Sequence, residues 1–150
     1  MARNFCTLTT ASEVALVAAT AKTVLQWLAP TGIIIAIQGI DVSFDGTSSS
    51  AEPVIIQVFR QTTAGTMTTR NPLKTKDRST TLQSTGQVNA TAEPTNTDLL
   101  RTWHVHPQMG VIYPLPLPDG EIELASATRL GLVITAPANV NCLATISAEE

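Results

Sequence analysis

The chain has 150 residues, enough for one domain with its own core; 43% are hydrophobic and only 14% charged, against roughly 25% charged in an average globular domain. A net charge of -3 gives no general attraction to nucleic acid or to an anionic membrane. The N-terminal stretch MARNFCTLTT lacks a basic segment followed by an apolar core, so no export signal is expected, and the apolar run Ile33–Ile37 falls far short of the roughly 20 residues that cross a bilayer as a helix.

Cys6 and Cys142 lie near opposite ends of the chain and, without an export signal, are read as two reduced thiols, a disulfide tying the first strand to the last being the alternative. In Ala11–Lys22, Ser12 would cap and Glu13 would suit the first turn of a helix, but Val14, Leu16 and the following Ala-Thr alternation favour a strand at a sheet edge. Thr23–Leu28 is a strand. Thr31–Gly46 changes pattern halfway: Ile33–Ile37 is apolar on both parities, whereas beyond Gln38 one parity reads Ile40, Val42, Phe44 and the other Gly39, Asp41, Ser43, Asp45. The second half is half-buried, and the first half is expected to be covered on both faces. A second subunit over Ile33, Ile35 and Ile37 would supply that cover; the N-terminal segment of the same chain is the alternative.

Asp45–Pro53 reads as a polar turn between two strong strands, the second being Pro53–Gln61. Thr62–Gly86 reads as a long polar loop carrying Arg70, Lys74, Lys76 and Arg78. Gln87–Ala92 is a weaker strand. In Arg101–His106, Trp103 and Val105 share one face, and Pro107 ends the run. Strand parity places Trp27 and Trp103 in the core. Pro107–Pro118 is too rich in proline for a central strand and presents Met109 and Tyr113 on a stiff backbone, either as a subunit contact or as cover for the chain's own sandwich. Glu121–Ala125, Arg129–Thr135 and Asn139–Ala148 alternate with period two, and short connections at Ser126–Thr128 and Ala136–Ala138 suggest antiparallel neighbours. The layout implies a single all-β domain, a jelly-roll β-sandwich of two antiparallel sheets with about eight strands.

No catalytic constellation emerges from the sequence, and no enzyme activity or cofactor is expected. His104 and His106 have the spacing of two metal ligands on one strand face, but a zinc site needs a third and fourth. Glu121 and Glu123 share a face, whereas paired catalytic carboxylates stand on opposing walls of a cleft. The basic residues Arg70, Lys74, Lys76 and Arg78 lack interleaved aromatics and therefore make no stacking platform for single-stranded nucleic acid. They fit either docking onto an acidic protein surface or a solvated loop.

Four stretches, Glu13–Gln26, Gly39–Pro53, the Val105–Gln108 turn and Leu130–Ile146, together resemble the small jelly-roll decoration, or cement, proteins of tailed-bacteriophage capsids. The resemblance implies a homotrimer at three-fold or quasi-three-fold positions on the outer capsid surface, clamping the major capsid protein lattice after assembly in the host cytoplasm. It carries over no catalytic residues. Ile33, Ile35, Ile37, Met109 and Tyr113 are the candidate subunit contacts, and Arg70, Lys74, Lys76 and Arg78 the candidate capsid contacts. The competing reading is a carbohydrate- or receptor-binding β-sandwich of the virion; an aromatic content of 4% leaves few rings for sugar stacking.

Overall fold

The computed structural model describes residues 4–76, 80–116 and 120–150. In chain order its strands begin with β1 (Phe5–Thr9), β2 (Val14–Leu16), β3 (Ala21–Leu28), β4 (Ile35–Phe44) and β5 (Val54–Gln61). They continue with β6 (Thr66–Thr69), β7 (Leu73–Lys74), β8 (Thr85–Ala92) and β9 (Asn96–Val105), then β10 (Gly110–Pro114), β11 (Ile122–Leu124), β12 (Arg129–Thr135) and β13 (Val140–Glu149). Seven strands form sheet A, in the order β10-β4-β13-β1-β7, with β11 also on β4 and β2 also on β13; six form sheet B, in the order β6-β8-β3-β12-β5-β9. All the ladders are antiparallel, and the two sheets make a β-sandwich.

The strands outnumber the expected eight because β4 and β13 are each long enough to hold two short partners along one edge. The segment expected as a loop at 62–86 also contributes β6 and β7 and the start of β8. Its Thr and Ser residues suit a strand pinned to a neighbour as well as they suit solvent.

The split pattern of Thr31–Gly46 comes from a β-bulge. In the β4–β13 ladder Gly39 stands opposite Ser147 and Ile37 opposite Ala148, so Gln38 has no opposite number. One inserted residue exchanges the parity that faces the core. Ile35 and Ile37 therefore point inward on one side of the bulge and Ile40 and Val42 on the other, all at most 3% exposed. Two bonds hold Gln38 in place: its carbonyl accepts from the Leu115 N–H at 2.8 Å, and its Nε2 donates to Glu149 Oε2 at 2.7 Å. The second apolar parity is not buried, since Ile34 is 58% exposed. The expected subunit contact at Ile35 and Ile37 is thus corrected, because both belong to the chain's own core, and Ile33 packs partly buried against it.

Other connections also differ from expectation. Strands β4 and β5 lie in different sheets, so Asp45–Pro53 crosses the sandwich rather than closing a hairpin. Gly46 passes so close to Pro107 that its N–H bonds the Pro107 carbonyl at 2.9 Å, and a Cβ there would collide with that residue. Ser126–Thr128 and Ala136–Ala138 likewise carry the chain from sheet A to sheet B and back, so β11, β12 and β13 are not paired neighbours. Local periodicity marks a strand's inward side but not its sheet. Trp27 is fully buried as expected, whereas Trp103 is only half-buried and meets Tyr113 with ring centroids 5.0 Å apart.

The contrast between neighbours on β4 is directly measurable. Ile35→Ala should cost about 2–5 kcal/mol in urea unfolding, whereas Ile34→Ala, just ahead of the strand, should stay within about 0.5 kcal/mol of the parent.

Candidate functional site

Alternation leaves one face of sheet A looking outward, and its registers define three rows across the strands. Gly110, Ser43 and Leu143 form the first; Ile112, Asp41, Thr145 and Thr9 the second; Pro114, Gly39, Ser147, Thr7 and Leu73 the third. Asp41 is the only charge in these rows. Ile112 is 81% exposed, Leu73 60% and Leu143 44%. Small side chains around them leave a flat, nearly neutral surface, and burial among neighbours raises the Asp41 pKa above the usual carboxylate value. At one end the face turns acidic: Glu121, Glu123, Glu149 and Glu150 surround a hollow of about 230 Å3 with Ile34 and Ala36. Glu150 accepts the N–H groups of Gln83 and Ser84 at 2.7 and 3.0 Å, while Gln38 holds Glu149, so two of the four carboxylates serve the fold.

The Pro107–Pro118 segment divides between its two expected roles. Tyr113 meets Trp103 with the ring planes tilted by 56° and packs against the core, and Leu115 is 3% exposed, so this part closes the chain's own sandwich. Met109, 65% exposed in the β9–β10 turn, and Ile112 remain open to a partner. Leu117 and Asp119 lie outside the described residues.

The basic residues largely fasten their own segment. Arg70 Nε donates to the Thr9 carbonyl at 2.7 Å, Lys74 Nζ to the Thr80 carbonyl at 3.0 Å, and Lys76 Nζ sits 4.4 Å from the centroid of the Phe5 ring. Lys74 and Lys76 are nevertheless exposed; Arg78 lies outside the described residues. The histidines do not act as a pair. His106 falls beyond the end of β9, where its Nδ1 accepts the Gln108 N–H at 3.2 Å, while His104 lines a separate hollow with Glu52 and Pro137. Among the described residues no group of three or more His, Cys, Asp or Glu side chains is placed to hold a metal ion.

No family model, curated protein or solved structure matches the chain. Its site must be read from its own geometry.

Sequence reasoning overlooked Ile112 and Leu143. Leu143 was legible: Val140, Cys142 and Ala144 fill the inward parity of its strand and leave it on the other. Sheet B held a larger surprise, a polar layer on its outer face. Gln26 Nε2 donates to Gln61 Oε1 at 2.6 Å and to the Thr63 carbonyl at 2.9 Å, and Gln61 Nε2 donates to Asn96 Oδ1 at 2.7 Å. Glu93 Oε2 accepts from both the N–H and hydroxyl of Thr23, at 2.9 and 2.6 Å. Thr23, Gln26 and Gln61 are 0–4% exposed because the β5–β6 and β8–β9 connections lie over them. Buried amides with partners rigidify such a layer. Both thiols are free and buried; burial, with Glu150 nearby, pushes Cys6 up to about 12, and burial raises Cys142 to about 12.

The raised pKa of Asp41 sets the sign of a pH effect. The folded state resists its ionisation, so stability falls as pH rises through the folded pKa and is fully recovered below the unfolded value of about 3.9. Asp41→Asn should therefore melt slightly above the parent at about pH 7, with the margin closing at about pH 3, as read by thermal unfolding at both values.

Proposed function

We propose that the protein is a structural virion protein: a jelly-roll decoration subunit that binds the outer capsid surface as a trimer and reinforces the major capsid protein lattice. The observation that carries this reading is the outward face of sheet A, with one charge in three rows and Ile112, Leu143 and Leu73 standing clear of it. Burying such a face gains about 25 cal/mol per Å2 of apolar surface with little charge to desolvate. Capsid contacts repeat over a lattice, so modest individual interfaces add up.

The sheet edges favour docking by faces. Sheet A ends on one side in the five residues of β10, which include Pro114, and the three of β11, and on the other in the two residues of β7 and the three of β2. Sheet B ends in the four residues of β6 and in β9, whose ladder to β5 slips twice. Short, proline-bearing and bulged edges resist the addition of a foreign strand. The sequence resemblance to decoration proteins supports the same assignment, and exposed Lys74 and Lys76 offer a complementary contact to an acidic capsid patch.

In sedimentation velocity at micromolar concentration the protein should run as a trimer. An Ile112→Asp, Leu143→Asp double variant should keep its unfolding midpoint, because both positions are exposed, yet lose occupancy on virus particles imaged by electron microscopy. A monomeric parent together with undiminished particle binding by the variant would overturn the assignment.

A further inference from the structure

The opposite side of the sandwich holds a hollow that capsid docking leaves unused. Cross-strand registers set Arg129, Leu28 and Thr85 side by side on the outer face of sheet B, with Gly131, Gln26, Gln87 and Thr69 in the next row. Gly131 contributes no side chain, and the Gln61 amide fills the space a Cβ would take. Ala64, in the β5–β6 connection, forms part of the wall. These residues, with Gly86, enclose about 220 Å3.

Its chemistry is specific in charge. Arg129 is half-buried, and its guanidinium makes no hydrogen bond or ion pair with any described residue. No carboxylate is among the lining groups. A guanidinium partly withdrawn from water, with its five donors uncommitted, favours a planar carboxylate that it can grip with two parallel bonds. The rest of the lining is neutral and polar. Gln26 is locked by Gln61 and Thr63 and gives a rigid floor, whereas Gln87 has a buried Oε1 without a partner and so an amide that the fold leaves uncommitted. Thr69 and Thr85 are exposed and supply hydroxyls that both donate and accept.

Size and lining narrow the ligand further. Drug-sized ligands occupy roughly 300–1,000 Å3, so this hollow suits a single small ring. With Leu28 and no aromatic side chain in the lining, a neutral sugar finds no ring to stack on. We infer that the hollow binds one sugar acid, free or at the end of a glycan, with its carboxylate on Arg129 and its hydroxyls on Gln87, Thr69 and Thr85. This site lies on the face opposite the proposed capsid contact, so its test does not depend on assembly.

The test is a titration of the 15N-labelled protein with glucuronate, with a glucuronate-ended disaccharide and with glucose, followed by NMR. Glucuronate or the disaccharide should shift the side-chain amides of Gln26 and Gln87 and the backbone amides of Thr85 and Gly86; which of the two binds more tightly tells a free acid from a glycan terminus. Arg129→Met should weaken binding about tenfold or more, and Gln87→Ala should weaken it less, with both variants checked for an unchanged fold by their backbone spectra. Should Arg129→Met not fold, Arg129→Lys replaces it and should also bind more weakly, since an ammonium cannot grip a carboxylate bidentately. Three results would each overturn the inference: no shifts with either acid, equal shifts with glucose, or unweakened binding by the folded arginine variant.

Discussion

The fold depends on the register of β4 against β13. These two strands are the longest in sheet A, and each serves two further strands along its free edge, so their alignment decides where β1, β2, β10 and β11 can attach. The bulge at Gln38 sets that alignment. On one side of it β4 receives β11, and on the other it receives β10 along the same edge. A slip by one residue would turn Ile40 and Val42 outward and bring Asp41 and Ser43 into the core, a change that a sandwich of this size does not survive. Gln38 and Glu149, bonded to each other at that point, act as a lock on the register.

Much of this fold was legible as strands, but little of it as sheets. Period-two alternation located β12 and β13 within a residue or two, β-branched and aromatic content located β5, and Pro107 marked the end of β9. Sheet membership depends on partners far along the chain. Asp45–Gly46 has the chemistry of a hairpin turn, and only the passage of Gly46 against Pro107, about sixty residues away in sequence, makes it a crossing. The change of pattern at Gln38 was visible in the sequence. Its cause was not, because a bulge and a face covered by another subunit leave the same hydrophobic trace until the opposing strand is known.

The candidate sites divide along the same line. A residue's outward parity can be read locally, and so Leu143 was within reach. The polar layer on sheet B joins Thr23, Gln26, Gln61, Glu93 and Asn96 from four strands or connections, and nothing within any one segment announces it. Gln26 and Gln61 look like ordinary solvent-facing residues of TVLQWL and PVIIQVFRQ until the connections that cover them are placed. The two faces consequently differ in kind: sheet A presents three nearly uncharged rows with an acidic hollow at one end, and sheet B a roofed layer of amides with the Arg129 guanidinium at its margin.

The two sealed thiols have a practical consequence. Cys6 lies on β1 opposite Ala148, and Cys142 on β13 opposite Val14 of β2, and neither forms an appreciable amount of thiolate at neutral pH. Each becomes reactive only when its own stretch of ladder opens. The rate at which a thiol reagent modifies each position is therefore a residue-specific clock for the separate opening of the β1–β13 and β2–β13 ladders, built into the wild-type protein without any engineered probe.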